Sequence, residues 1–121
     1  MKHTLSEHNK YQLIKLHEEK LNTNVAPELK AQFVFLNGKG VKNIIIDLSD
    51  VKYCDSSGLS AVLVGNRLCK NSKGSFVMTG VQDNVMKLIS ISQLESVLYI
   101  APTLQEAVDL VMMDEIERDV K

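Results

Sequence analysis

The clearest pattern in the chain is an apolar run, followed by a polar turn and then by apolar residues at helical spacing. Residues 44–48 read IIIDL, a β-branched run that is typical of a strand covered on both faces. Residues 55–58 read DSSG and interrupt the run with residue types that favour turns and helix starts. Leu59, Val62 and Leu63 then follow at helical spacing. We predict a buried strand, a tight turn carrying two serines, and a helix that begins at this turn with these three residues facing the sheet.

The same spacing argument predicts alternating strands and helices along the rest of the chain. In order, we predict a strand over 10–17, a turn or short strand over 18–22, a helix entered near Pro27 and stopped by residues 37–40, a strand over 75–79, a short helix from residue 82 or 83, a strand over 97–100, and a helix opened by Pro102 and Thr103. This alternation indicates one α/β domain over residues 1–121 with a largely parallel sheet. We expect its polar ends, residues 1–9 and 115–121, to be frayed.

Composition and charge exclude several classes of function. The chain has 121 residues and a net charge of -1, so no electrostatic argument favours nucleic acid or an anionic membrane as a partner. No apolar run approaches the roughly 18 residues of a membrane span, and the first residues lack the apolar core of a signal peptide. We therefore expect a cytoplasmic protein without a membrane span.

Few residues suggest a metal site, a cofactor or a disulfide. The two cysteines, Cys54 and Cys69, lie beside the turn and inside the helical pattern, where reduced thiols are expected. His3, His8 and His17 do not have the spacing of zinc ligands. We expect neither a metal nor a cofactor.

The chain also lacks the patterns of common active sites. It has no glycine-rich phosphate loop, and no histidine lies in a segment that is expected to face Ser56 or Cys54 as a base. Asp47, Asp50 and Asp55 could converge after the strand and hold magnesium, or they could be solvated carboxylates of a turn. The residues alone favour the second interpretation, because their spacing does not show a shared cleft.

The turn offers hydroxyl groups that a kinase could reach. Ser56 and Ser57 stand where backbone N–H groups at a helix start are unpaired, and a phosphate there would meet a favourable helix dipole. On the residues alone, the simpler interpretation is that one serine only caps the helix.

The same helix has a second apolar stripe, formed by Ala61, Val64 and Leu68. Either neighbouring elements cover this stripe or a partner binds it.

Residues 47–63, DLSDVKYCDSSGLSAVL, resemble the signature of the STAS domain, specifically that of bacterial anti-sigma factor antagonists. Residues 21–30, LNTNVAPELK, resemble the entry to the first helix of that family, and residues 74–108 resemble its C-terminal half. The resemblance implies a single α/β domain with a small mixed, largely parallel sheet and helices packed mainly on one side.

The resemblance also implies a function. The serine directly after the aspartate of DSSG is the phosphoacceptor of the family, and here it is Ser56. Family members are not enzymes. Unphosphorylated, they bind an anti-sigma factor that is also a serine kinase, and so free a sigma factor. The kinase phosphorylates the serine with ATP and the complex weakens, and a PP2C-type phosphatase reverses the modification.

On this basis we expect a partner surface around the start of the helix. The expected contacts are Asp55, Ser57, Gly58, Ser60, Ala61 and Val64, with Asn66 in the same region. Two departures from the family pattern leave the partner open, namely Cys54 before Asp55 and Asn22 where many relatives have Asp. The alternative function is that of a non-catalytic STAS subunit in a lipid or ABC transport complex or a signalling scaffold.

Overall fold

A computed structural model describes residues 1–120, in which seven strands and four helices follow one another along the chain. The elements in order are β1 (His3–Glu7), β2 (Gln12–Leu16), β3 (Lys20–Leu21), α1 (Ala26–Gly38), β4 (Ile44–Asp47), β5 (Tyr53–Cys54), α2 (Ser56–Asn71), β6 (Phe76–Thr79), α3 (Asp83–Ile91), β7 (Tyr99–Ala101) and α4 (Leu104–Val120). The predicted α/β fold is confirmed.

The main sheet has five strands in the order β1-β2-β4-β6-β7. β1 and β2 are antiparallel, whereas β2–β4, β4–β6 and β6–β7 are parallel pairs. The predicted mixed, largely parallel sheet is therefore confirmed. β3 and β5, of two residues each, form a separate parallel pair beside it.

The central strand β4 is covered on both faces, as its apolar run predicted. Ile44 and Ile46 join a core with α1, α2 and α3 on one face, and Ile45 joins a second core with Ala107 and Val111 of α4 on the other. The three isoleucines are at most 1% exposed. Most helices thus pack on one face, as expected. Within residues 1–120, none of the helices combines the length and the apolar character that crossing a membrane requires.

The N-terminal residues form a strand rather than a frayed end. β1 pairs along its whole length with β2 as an edge strand, and Leu5 packs against the larger core. The prediction that residues 1–9 are frayed is therefore wrong for residues 3–7. Because Leu5 is the only large apolar residue of β1, pairing with β2 determines this strand more than its own pattern does.

The C-terminal helix continues further than predicted. Glu115 is buried, and its carboxylate accepts hydrogen bonds from the Asn43 amide at 2.7 Å and from Arg118 at 3.1 Å. The hydrogen bond from Asn43 is the main cause that lowers the pKa of Glu115, so this carboxylate stays ionised at neutral pH. The prediction that residues 115–121 are frayed is wrong for residues 115–120, and Lys121 lies outside the described residues.

Candidate functional site

The turn that carries the serines is held by β3 and by β5, a strand that the sequence did not predict. After β4, the Leu48 amide donates a hydrogen bond to the Thr79 carbonyl at 2.9 Å. The chain then pairs as β5 with β3, and the Asp55 amide donates to the Leu21 carbonyl at 3.2 Å. The connection between the end of β4 and α2 is thus longer than the predicted tight turn.

Asp55, rather than a serine, caps α2. Its backbone is extended, with φ -101° and ψ -176°, and its Oδ1 accepts a hydrogen bond from the Gly58 amide at 2.9 Å. Ser56 and Ser57 are therefore the first two residues of the helix, the former exposed and the latter half-buried. Within the described residues, neither hydroxyl has a hydrogen-bond partner. The interpretation that a serine serves only as the cap is wrong, because Asp55 occupies that position.

Gly58 brings the first turn of α2 directly against β3. A Cβ atom at this position would lie 2.2 Å from the Leu21 carbonyl oxygen and 2.9 Å from Cys54 Sγ. The carbonyl belongs to the backbone of a paired strand, so it cannot move aside as a flexible side chain could. The glycine of DSSG is thus required by packing. Since Gly58 is buried, the prediction that it contacts a partner is wrong.

α2 has a buried side and an outward stripe. Leu59 and Val62 are buried in the core, and the half-buried Leu63 packs against it, as predicted. Exposed and half-buried residues recur every three or four positions from the first turn onward. These outward positions are Ser56, Ser60, Val64 and Arg67. They lie on one side of the helix and form a continuous surface that begins at Ser56.

Two residues expected at the partner surface lie inside the protein instead. Ala61 is 0% exposed and Asn66 is 6% exposed, because α1 and β6 pack along this side of α2. A Cβ at the adjacent Gly65 would lie 2.7 Å from Phe76 and 2.8 Å from Phe33. The prediction that Ala61 or Asn66 contacts a partner is therefore wrong. Of the other expected contacts, Asp55 and Ser60 are exposed, whereas Ser57 and Val64 are half-buried.

The sequence matches a known family over most of its length. A family model described as the STAS domain matches residues 5–107. The chain belongs to the STAS domain family. The resemblance that residues 47–63 suggested is thereby confirmed.

Solved structures of several proteins share the fold of this STAS domain. A proposed anti-sigma factor antagonist from Thermotoga maritima is 25% identical, with a TM-score of 0.81, and the match covers 91% of this chain and 94% of that one. The Bacillus cell fate determinant SpoIIAA in its phosphorylated form is 23% identical, with a TM-score of 0.71 and coverage of 91% and 99%. A sulfate transporter family protein from Wolinella succinogenes is 15% identical, with a TM-score of 0.75 and coverage of 87% of each chain. The last two likenesses show the fold alone.

The carboxylates near the turn of this STAS domain have separate local roles. Oδ1 of Asp47 accepts a hydrogen bond from the Ser49 amide at 2.9 Å. Asp50 lies 3.4 Å from Nδ1 of His17, while Asp55 caps α2. Across residues 1–120, no three His, Cys, Asp or Glu side chains are grouped so that they could hold a metal ion. The geometry supports the interpretation of these residues as turn carboxylates.

Cys54 adjoins the turn but is not activated as a nucleophile. Cys54 and Cys69 are free thiols, as predicted. Burial, and secondarily the charge of Asp55, raises the pKa of Cys54 to about 12. Burial also raises the pKa of Cys69 to about 12. Both thiols are therefore protonated at neutral pH, whereas a reactive cysteine needs a thiolate.

Tyr53 is a surface residue that the sequence analysis did not single out. It lies on β5, two residues before Asp55, and is 51% exposed. Large aromatic side chains are enriched among the residues that contribute most to protein interfaces. The spacing of apolar residues around Tyr53 does not predict a strand, because pairing with β3 determines this two-residue strand. We include Tyr53 among the candidate contacts.

We expect Gly58→Ala to destabilise the domain by about 1–3 kcal/mol, because the added methyl group meets the Leu21 carbonyl. Gly38→Ala is the matched control, since Gly38 also lies in a helix and nothing lies within 4 Å of a Cβ built there. Urea unfolding followed by circular dichroism measures both variants. If Gly58→Ala unfolds at the same urea concentration as the wild type, α2 does not approach β3 this closely.

Proposed function

We propose that this STAS domain is a protein-binding module that is switched by phosphorylation of Ser56. The observation that carries the proposal is the position of Ser56 as the exposed first residue of α2. Its hydroxyl is not needed as a helix cap, because Asp55 supplies the cap. A kinase can therefore reach the hydroxyl, and modify it, without opening the domain.

The start of α2 can also accommodate a phosphate. The Gly58 amide donates to the Asp55 side chain and the Leu59 amide to the Asp55 carbonyl at 3.0 Å. Within residues 1–120, the amides of Ser56 and Ser57 have no acceptor. Unpaired N–H groups and the helix dipole both favour an anion at such a position. Phosphorylation is therefore expected to leave the fold intact.

The proposed partner is an anti-sigma factor that is itself a serine kinase. Membership of the STAS family and the likeness to the Thermotoga maritima protein support this choice. In this proposal the unphosphorylated domain binds the kinase and thereby releases a sigma factor. Phosphorylation weakens the complex, and a PP2C-type phosphatase restores it. The domain itself carries out no catalysis.

The proposed contact surface surrounds the phosphorylation site. It comprises Tyr53, Asp55, Ser56, Ser57, Ser60 and Val64. A phosphate adds about -1.5 to -2 charges beside Asp55. At an effective dielectric constant of about 20, one pair of like charges about 6 Å apart costs roughly 3 kcal/mol. A single facing carboxylate on the partner would therefore lower the affinity by about a hundredfold.

A second function, as a non-catalytic subunit of a transport or signalling complex, is compatible with the same fold. The likeness to the Wolinella succinogenes protein of the sulfate transporter family supports it, at the level of the fold. In that function Ser56 needs no modification. The exposed and unused hydroxyl of Ser56 favours the first function, and phosphate transfer from a kinase distinguishes the two.

We expect a cognate anti-sigma factor kinase with ATP to add one phosphate, and tandem mass spectrometry to place it on Ser56. Ser56→Ala should abolish incorporation, whereas Ser57→Ala should keep it, because Ser57 is half-buried. The two substitutions are chemically identical and adjacent, so they control for each other. A phosphate found on Ser57, or none on either serine, would count against the switch.

We expect Val64→Lys to weaken binding of this partner by at least about tenfold, because it places a charge within the outward stripe of α2. Its thermal midpoint should stay near that of the wild type, since Val64 is already half-buried rather than buried. Ile116→Lys is the matched control, because Ile116 is 63% exposed on α4, on the opposite face of the sheet. Isothermal titration calorimetry measures binding. A large loss of stability in Val64→Lys would instead assign this position to the core.

A further inference from the structure

β7 is an edge strand whose outer side is unpaired. In the part of the chain that the structure describes, it is the last strand of the main sheet and pairs only with β6, through Tyr99, Ile100 and Ala101. Within residues 1–120, these three residues make no backbone hydrogen bond to any other element. An unpaired edge presents N–H and C=O groups that can pair with another extended chain.

Apolar grooves flank β7 on both faces of the sheet. The groove on the α3 side has a volume of about 580 Å³, and Val81, Met86 and Leu98 line it. The groove on the α4 side has a volume of about 330 Å³, and Leu110 and Met113 line it. Ile100, Ala101 and Pro102 border both grooves. Side chains of an added strand would point alternately to the two faces, so neighbouring residues would enter different grooves.

The charged side chains that line these grooves are acidic. Glu95 lines the groove on the α3 side, and Glu106 and Asp109 line the groove on the α4 side. Among the described residues, no Lys, Arg or His lines either groove. The opposite edge of the sheet differs, because β1 carries His3 and Glu7 and has mostly polar residues. Charged side chains are a usual protection of sheet edges against pairing, and β7 carries none of its own.

We propose that β7 binds an extended segment of a partner protein by strand addition, and that this segment has two adjacent apolar residues flanked by basic ones. The apolar pair fills the two grooves, one residue in each, and the basic residues pair with Glu95, Glu106 and Asp109. A second copy of this chain fits less well, because its own carboxylates would face the same carboxylates across the edge. The site shares no residue with the contact surface around Ser56, so the proposal is independent of the switch.

The test uses the whole protein and a synthetic peptide with the sequence Lys-Lys-Val-Leu-Lys-Lys, acetylated and amidated at its ends. We expect amide NMR signals of Tyr99, Ile100 and Ala101 to shift on titration, and hydrogen exchange in β7 to slow as the strand is added. The Glu106→Lys/Asp109→Lys variant should bind the peptide at least about tenfold more weakly. Glu7→Lys/Glu19→Lys is the matched control, because it changes the net charge equally away from β7 and should bind as the wild type does.

Four outcomes would overturn the proposal. The first is no shift in β7 at any peptide concentration, and the second is equal binding of the corresponding peptide with glutamates in place of lysines. The third is equal weakening by the two double variants, which would indicate a general charge effect. The fourth is a shift of β7 signals that depends on protein concentration without peptide, which would assign the edge to a second copy of the chain.

Discussion

The first turn of α2 lies so close to β3 that position 58 has no room for a side chain. A Cβ there would lie 2.2 Å from the Leu21 carbonyl oxygen, a contact that no ordinary residue can make. With Gly58 held at β3, the Asp55 carboxylate is in place to accept a hydrogen bond from the Gly58 amide. The helix therefore begins at Ser56, directly after Asp55. Because the helix starts in this orientation, the Leu59 side chain lies in the core and the Ser56 side chain lies in solvent.

This arrangement separates the role of the turn in folding from its proposed role in signalling. Asp55 and Gly58 supply the cap and the close packing, whereas the hydroxyl of Ser56 has no hydrogen-bond partner in the described chain. A modification of Ser56 therefore removes no native interaction of the domain. Its effect falls on whatever approaches the outward stripe of α2, where a new negative charge lies beside Asp55.

The elements that the sequence predicts well are those with a pattern of their own. β4 is an unbroken β-branched run, and α2 repeats its apolar residues at helical spacing, so each is recognisable without its neighbours. β1 and β5 were not predicted, because β1 is mostly polar and β5 has only two residues, and pairing with another strand determines both. β3 lies within residues 18–22, where a turn or a short strand was predicted, and pairing with β5 decides between the two. Spacing cannot reveal such pairing.

The details of the site were harder to predict, for two physical reasons. Asp and Ser have similar preferences for the cap position, so only the backbone conformation of Asp55 shows which residue occupies it. Ala61 is buried because α1 and β6 cover that side of α2, and the apolar stripe alone could equally have faced a partner. Ser56 was identified through the resemblance of DSSG to a family signature, and the geometry then supplied the reason why its hydroxyl is free.

The central claim is that phosphate on Ser56 acts through charge at the partner surface and not through the fold. The most direct test measures two quantities on one sample, phosphorylated and not: the dissociation constant for the kinase partner and the free energy of unfolding in urea. We predict that the affinity falls by about a hundredfold, whereas the free energy of unfolding changes by less than about 1 kcal/mol, because the helix dipole favours the anion. A loss of affinity accompanied by a loss of stability of similar size would contradict the account.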